Sequence, residues 1–172
     1  KENLKASSID GGFSAYKKNA EAAWDSSLSK ITIESPNSDR KTQFYTHLYH
    51  SLIHPNTVSD VNGDYMGADF KVYKTKLDDQ YSSFSVWDTY RTQAQLVAML
   101  YPGRSSDMMQ SLVDFAEQSG GYGRWILANI ETGIMQGDPT PILISNSHAF
   151  GATNFDLNKA YDYMKRGATI PL

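Results

Sequence analysis

The segment SVWDTYRTQAQLV, residues 85–97, opens an apolar helical run with an indole, a carboxylate and a guanidinium. Trp87, Asp88 and Arg91 carry groups that rarely open a core helix together, so their grouping suggests a site. A carboxylate beside a flat apolar ring can accept hydrogen bonds from two neighbouring hydroxyls, which is the chemistry of a sugar subsite. The same residues are equally compatible with a helix cap, an Asp88–Arg91 pair at i, i+3 and a packed tryptophan.

Three histidines, His47, His50 and His54, recur along a second predicted helix. Their spacing of i, i+3 and i+7 places all three on one helix face, opposite the apolar stripe of the same helix. Three imidazoles with an open water position form one kind of zinc site. No H-E-x-x-H pattern accompanies them, so a solvated polar face is the preferred interpretation.

The stretch DVNGDYMGADFK resembles a calcium loop only at its beginning. Asp60, Asn62 and Asp64 occupy the first, third and fifth positions of such a loop. The sixth position, where the sharp turn needs glycine, is Tyr65, and the twelfth, where a bidentate acid belongs, is Lys71. A hairpin turn therefore explains this stretch better.

The composition excludes several classes of function. The net charge of −3, with acids and bases mixed along 172 residues, argues against a nucleic-acid partner. No apolar run approaches the roughly 18 residues of a membrane span. The absence of cysteine excludes disulfides and thiol catalysis. No P-loop and no G-x-S-x-G elbow is present, so neither a phosphate cradle nor a serine nucleophile can be named.

Apolar periodicity predicts a mainly α architecture of about six helices with one β-hairpin excursion around residues 58–84. The hairpin is expected to turn at Asn62-Gly63. Successive helices joined by short loops pack antiparallel. Asp156 is the expected N-cap of the last helix and Gly167 its C-terminal stop. The six predicted helices cover residues 14–31, 41–54, 87–100, 105–121, 141–150 and 156–167.

Four segments together resemble one known family. They are FYTHLYHSLIHPNTVSDVNGDYMGAD, FSVWDTYRTQ, the W-x-L-x-x-x-E-T-x-x-M-x-G run from Trp125 to Gly137, and FDLNKAYDYMKRGA. In this order they resemble the family 92 glycoside hydrolases, which are α-mannosidases, many acting on α-1,2-linked mannose. The resemblance extends from about Asn3 to Ala168.

The resemblance implies a fold and a site. The family combines an N-terminal β-sandwich with an (α/α)6 toroid, depends on calcium and inverts the anomeric carbon. Residues 1–172 would then be a fragment of one helical-toroid domain, a partial (α/α)6 toroid without the sandwich and the second half. Asp88 would accept sugar hydroxyls, Trp87 would form the wall, Arg91 would orient Asp88, and Glu131 would support them.

The family motifs for the catalytic groups do not occur in this chain. The acid of the family lies in an E-G-N-A-W stretch, the base in a G-D-E-D-C-G stretch, and further sugar and calcium contacts in an N-E-P segment. We therefore expect no catalytic residue and no metal ligand here, with the calcium ligands in the rest of the parent chain. Two departures, Asn129-Ile130 before Glu131 and Asp138-Pro139 after Gly137, weaken a substrate role for that loop.

Three interpretations of function remain open from the sequence. The parent protein is an exo-α-mannosidase acting on mannose-containing glycans, or the chain is a non-catalytic helical module that binds carbohydrate or a protein. The third interpretation is a zinc enzyme built on the face of His47, His50 and His54. The resemblance implies a secreted, periplasmic or cell-surface protein. Half of a helical ring would also expose an apolar face, so self-association of the chain is expected.

We expect the purified chain alone not to hydrolyse an aryl α-mannoside, because the acid and base motifs of the family are absent from it. Release of the aryl alcohol, measured across the purification fractions, tests this expectation. Turnover that rises and falls with the amount of the chain would contradict it.

Overall fold

The computed structural model describes residues 1–170. The predicted domain over 1–172 also includes Pro171 and Leu172, which lie outside the described residues. Within the described residues the chain divides into two units, with the boundary between Ile53 and His54. No helix in residues 1–170 has both the length and the apolarity needed to cross a membrane.

The first unit contains three helices, α1 (Glu2–Ala6), α2 (Gly12–Leu28) and α3 (Ser38–Ser51). The Asn37 side chain caps α3 by accepting a hydrogen bond from Arg40 N at 3.1 Å. The rings of Trp24 and Tyr49 meet edge to face at 4.5 Å and join α2 to α3. Leu48, which is 5% exposed, is the one buried residue of this unit, so the unit has little core of its own.

The histidine prediction is wrong in part, because α3 ends at Ser51. His47 and His50 are exposed on α3. His54 follows the helix, so it cannot share a helix face with the other two.

Over residues 54–170, the second unit contains five helices and three two-stranded sheets. Its helices are α4 (Val86–Thr89), α5 (Gln93–Leu100), α6 (Pro102–Ser119), α7 (Thr140–Ala149) and α8 (Leu157–Thr169). Antiparallel pairs join β1 (Asn56–Thr57) to β4 (Tyr81–Ser82), β2 (Asp64–Met66) to β3 (Val72–Lys74), and β5 (Ile126–Leu127) to β6 (Ile130–Glu131). In residues 1–170, the six helices longer than five residues correspond to the six predicted ones.

Helix α6 is the centre of the second unit. Pro102 begins it, where a missing N–H costs nothing, and Gly120 follows it with a left-handed φ of 91°. Its inward face buries Leu112 and Val113 completely, against a cluster that includes Ile144 of α7. Burying a leucine or isoleucine side chain stabilises a fold by about 1.5–3 kcal/mol, so each member of this cluster contributes to the stability of the unit.

The β excursion packs on α6 through polar contacts as well as apolar ones. Lys76 Nζ lies 2.5 Å from Oδ1 of Asp114, whose side chain is 1% exposed. Tyr81 N donates to Ser111 Oγ at 2.9 Å.

The predicted hairpin turn at Asn62-Gly63 lies at the wrong place. Residues 67–71 connect β2 to β3 and form the turn of the hairpin. Asn62-Gly63 instead forms the tight turn that enters β2, with Gly63 at φ 85°.

The predicted helix over 87–100 is interrupted between α4 and α5. Thr92 leaves helical geometry with φ −146° and ψ −36°. Gln95 Nε2 donates to the Tyr90 carbonyl at 3.1 Å, which satisfies an acceptor that the break releases. The local hydrogen bonding therefore departs from the apolar periodicity here.

Two further boundaries differ from the sequence prediction. Asp156 does cap α8, since its carboxylate accepts from Lys159 N at 2.9 Å. The helix runs through Gly167 to Thr169, because Gly167 keeps a helical conformation. The predicted loop before α7 contains the β5–β6 hairpin, whose turn places Ala128 at φ 53°. This turn has no Asn-Gly or Asp-Gly signal in the sequence.

We expect Leu112→Ala to lower the free energy of unfolding by about 2–5 kcal/mol, because it leaves a cavity in the fully buried core. Leu127, which is 58% exposed in β5, provides the matched control. Leu127→Ala should change that free energy by less than about 0.5 kcal/mol. Urea unfolding of both variants measures the difference, and equal losses would contradict this account of the core.

Candidate functional site

The carboxylate of Asp88 is exposed at the surface of the second unit, in the short helix α4. Ser85 precedes the helix, and its carbonyl accepts Asp88 N at 3.0 Å and Thr89 N at 3.1 Å. The Ser85 hydroxyl donates to Asp88 Oδ2. The turn of the backbone and the serine side chain therefore fix Asp88 from its own segment.

A second segment, residues 124–126, fixes Asp88 from the other side. The indole Nε1 of Trp125 donates to Asp88 Oδ2 at 3.3 Å. Two backbone hydrogen bonds hold the segments together, from Ile126 N to Phe84 O at 2.9 Å and from Trp87 N to Arg124 O at 3.4 Å. Both side-chain hydrogen bonds reach Oδ2, so within residues 1–170 Oδ1 is the carboxylate oxygen left to accept from another group.

Trp87 is half-buried beside Asp88, and a hydrogen bond connects it to the loop that follows β6. Its Nε1 donates to the Gln136 carbonyl at 2.8 Å. The guanidinium carbon of Arg91 lies 5.0 Å from the centre of the Trp87 ring and 5.3 Å from that of Tyr90. These distances are typical of cation–π contacts.

Arg91 is not the ion-pair partner of Asp88 that the i, i+3 spacing suggested. Its Nε donates to the Tyr90 hydroxyl at 3.3 Å. That hydrogen bond and the nearby Tyr90 oxygen raise the pKa of the Arg91 guanidinium. No ion pair of the described residues joins Arg91 to Asp88. The break after α4 lets Arg91 lie across the aromatic rings, and the hydrogen bonds to Asp88 come from Ser85 and Trp125 instead.

Glu131 is held by three backbone amides. Its Oε2 accepts from Arg124 N at 2.8 Å and from Trp125 N at 3.2 Å, and its Oε1 accepts from Gly133 N at 2.8 Å. A Cβ on the buried Gly123 would lie 2.6 Å from Oε2. Because both oxygens are occupied by amide hydrogens, Glu131 organises the base of the β5–β6 hairpin and is poorly placed to transfer a proton.

The loop after the hairpin is folded around Arg124. The guanidinium donates to the carbonyls of Ile134 at 3.2 Å, Gly133 at 3.4 Å and Gly137 at 3.5 Å. Through this loop Gln136 reaches the Trp87 indole. The Arg124 guanidinium thus holds the loop through three hydrogen bonds, and few of its N–H groups remain to bind a ligand.

A cavity of about 450 Å³ lies beside this loop. Tyr122, Arg124, Glu131, Asp138 and Tyr163 contribute to its wall. Burial raises the pKa of the Asp138 carboxyl, and the charge of Arg124 partly opposes this shift. Asp88 does not line this cavity, so the cavity and the Asp88 carboxylate are separate features joined by residues 124–138.

No metal site forms in the part of the chain that is described. Among residues 1–170, no group of three or more histidine, aspartate or glutamate side chains is placed to hold an ion. No calcium ligand and no zinc ligand is therefore assigned within these residues, and the three histidines do not form a cluster.

Four predicted site residues thus lie on two neighbouring segments, and sequence reasoning missed three others. Trp87, Asp88 and Arg91 lie on α4 and just after it, and Glu131 is linked to them through Trp125. The missed residues are Ser85, Arg124 and Trp125. The Trp125–Gly137 run marked the second segment, but its apolar pattern gave no sign that an indole N–H would meet Asp88.

Solved structures share this fold. The family GH92 alpha-mannosidase BT3965 from Bacteroides thetaiotaomicron, in complex with mannoimidazole, matches with a TM-score of 0.89 and 28% identity, over 97% of this chain and 22% of that chain. The family GH92 inverting mannosidase BT2199 from the same organism matches with a TM-score of 0.90 and 23% identity, over 99% of this chain and 23% of that one. The chain thus spans less than a quarter of these proteins.

The similarity defines both the architecture and the family. The two structural matches confirm the mainly α class, and the helices with their small antiparallel sheets are consistent with a partial α/α toroid. The family model described as the glycosyl hydrolase family 92 catalytic domain matches residues 1–171. The chain belongs to this family, as its motifs predicted. No curated protein sequence matches it.

We expect Glu131→Gln to lower the free energy of unfolding by about 1–3 kcal/mol, because one amide loses its acceptor. The glutamine oxygen should take the Oε2 position with its two amides, which leaves Gly133 N facing an NH₂ group. Amide hydrogen exchange of Gly133 should therefore accelerate more than that of Trp125.

The matched control is Glu34→Gln, since Glu34 is an exposed glutamate of the first unit. Urea unfolding and hydrogen exchange followed by NMR should show little change in this control. Unchanged protection of Gly133 in Glu131→Gln would show that the three amide contacts do not hold the hairpin.

Proposed function

We propose that the whole protein is an exo-α-mannosidase and that this chain supplies part of its sugar-binding surface. The observation that carries the proposal is an oriented, exposed carboxylate, Asp88, flanked by two indoles in a chain of family 92. The relative BT3965 is an alpha-mannosidase solved with mannoimidazole, and its 28% identity over the chain supports a mannoside as the substrate.

In this proposal Asp88 accepts hydrogen bonds from mannose hydroxyls. Its Oδ2 is already held by Ser85 and Trp125, which orients Oδ1 for the sugar. A charged acceptor forms stronger hydrogen bonds with hydroxyls than a neutral one does. The carboxylate is exposed, so it needs no rearrangement of this chain to reach a ligand.

Trp87 forms an apolar wall beside Asp88 and Arg91 supports that wall. The Trp87 indole is fixed by Gln136, and the guanidinium of Arg91 covers its ring. Arg91 therefore acts through the aromatic rings and through its positive charge near Asp88. Glu131 supports the site through the backbone of residues 124 and 125.

The catalytic acid and base are proposed to lie elsewhere in the whole protein. An inverting glycosidase needs two carboxyl groups about 6.5–9.5 Å apart with a water between base and sugar. Glu131 is saturated by backbone amides and Asp88 is assigned to binding, so these two are not proposed as that pair. The resemblance also supports inversion, calcium dependence with ligands outside this chain, an α-1,2 preference and an exported location.

In the same proposal residues 1–172 form part of one helical-toroid catalytic domain. The rest of that domain would be the main partner of this chain and would cover its exposed apolar residues. The isolated chain would then self-associate through the same residues.

We expect Asp88→Ala in the whole protein to lower kcat/KM for an aryl α-mannoside by about 100-fold or more, because a hydroxyl acceptor of the transition state is lost. The control is Asp162→Ala, since the Asp162 side chain on α8 is 72% exposed. That variant should keep the original kcat/KM. Steady-state kinetics of both variants test the assignment.

Two outcomes would count against the proposal in different ways. Near-normal kinetics of Asp88→Ala would remove Asp88 from the sugar site and leave the activity intact. A whole protein that binds mannosides without hydrolysing them would favour the alternative, a non-catalytic carbohydrate-binding module.

A further inference from the structure

The side chain of Asp88 depends on an indole that the motif W-D-T-Y-R does not contain. We infer that Trp125 is a positioning residue, whose indole N–H holds the Asp88 carboxylate in the orientation that receives a sugar hydroxyl. This inference rests on the proposed function. In this inference Trp125 affects the sugar only by orienting Asp88, and its ring does not form a further wall of the subsite.

The Trp125 backbone is fixed on both sides. Its N–H donates to Glu131 Oε2 at 3.2 Å, and its carbonyl accepts from Thr132 N at 3.1 Å and from Thr132 Oγ1 at 2.7 Å. The next residue, Ile126, is 1% exposed and donates from its N–H to the Phe84 carbonyl at 2.9 Å. The indole therefore projects from a backbone with little freedom to move.

Asp88 has no comparable fixation of its own. It is exposed, and its segment supplies one side-chain donor, Ser85. A serine hydroxyl rotates freely, so alone it would let the carboxylate turn. The Trp125 N–H approaches the same oxygen, Oδ2, from a different segment at 3.3 Å. Two donors from two directions restrict the rotation of the carboxylate, which lowers the entropy lost when a sugar binds.

The other nearby donors are occupied elsewhere. Arg91, the expected partner of Asp88, lies over the Trp87 and Tyr90 rings. The Trp87 indole N–H is bonded to Gln136 O at 2.8 Å. Of the two indoles in this region, Trp125 is therefore the one that contacts the carboxylate.

The test uses Trp125→Phe in the whole protein, which removes the N–H and keeps an aromatic ring. We expect kcat/KM for an aryl α-mannoside to fall by about 10-fold or more, the effect of one hydrogen bond to a charged group. In the Asp88→Ala background the same change should lower kcat/KM less than about 2-fold. If Trp125 had only a structural role, Trp125→Phe would lower kcat/KM by the same factor in the wild-type and the Asp88→Ala backgrounds.

The matched control is Trp24→Phe, since Trp24 lies in the first unit against Tyr49 and outside the site. This variant should keep its kinetics. A spectroscopic readout is independent of activity: in ¹⁵N-tryptophan-labelled protein, Asp88→Ala should shift the indole N–H signal of Trp125 and accelerate its hydrogen exchange. The Trp24 signal should stay unchanged.

Each outcome separates the inference from the proposed function. Wild-type kcat/KM in Trp125→Phe, or an equal loss in both Asp88 backgrounds, would overturn the positioning role while the mannosidase activity stands. An inactive wild-type protein would overturn the proposed function. In that case an unshifted Trp125 indole signal in Asp88→Ala would overturn the Asp88–Trp125 contact as well, and a shifted signal would support it.

Discussion

The site depends on one carboxylate that holds three backbone amides. Glu131 closes the β5–β6 hairpin by accepting from Arg124, Trp125 and Gly133. Leaving such donors without partners in a partly buried place would cost about 1–3 kcal/mol each. These hydrogen bonds fix the backbone of Arg124 and Trp125. The Arg124 guanidinium can therefore donate to carbonyls of the loop after β6, and the Trp125 indole can donate to Asp88.

Two parts of the chain that are far apart in sequence thereby act as one surface. Helix α4 presents Asp88 and Trp87, and residues 124–136 hold each of these side chains by one hydrogen bond, from the Trp125 indole to Asp88 and from the Trp87 indole to the Gln136 carbonyl. The backbone pairs between the segments prevent them from sliding past each other. The polar surface is supported by the α6 core, where Leu112 and Val113 are completely buried.

Much of the fold could be predicted because helices have a strong period in sequence. The six longer helices, the N-cap at Asp156 and the β excursion follow from apolar spacing and turn residues. The break at Thr92 could not be predicted, because a side chain five residues beyond Tyr90, that of Gln95, satisfies the freed carbonyl. The β5–β6 turn at Ala128 also gave no signal, since no glycine or asparagine occupies the position with positive φ.

The site could be predicted only where neighbours in space are neighbours in sequence. Trp87 and Asp88 are adjacent, and the motif located both. Helical spacing then suggested an Asp88–Arg91 pair, but the chain leaves the helix and Arg91 turns to the aromatic rings. Trp125 lies 37 residues from Asp88, and no local rule relates an indole to a carboxylate over that distance.

Gly123 shows how a residue with no side chain can limit variation in such a surface. A methyl group there would lie 2.6 Å from Glu131 Oε2, and its carbonyl already accepts the Thr140 hydroxyl at the start of α7. An alanine at this position would displace the Glu131 carboxylate from the three backbone amides, and the displacement would extend to residues that Gly123 does not contact. A mutational survey of the protein would therefore find this position intolerant of substitution although glycine has no side chain, and libraries that vary this surface should keep it constant.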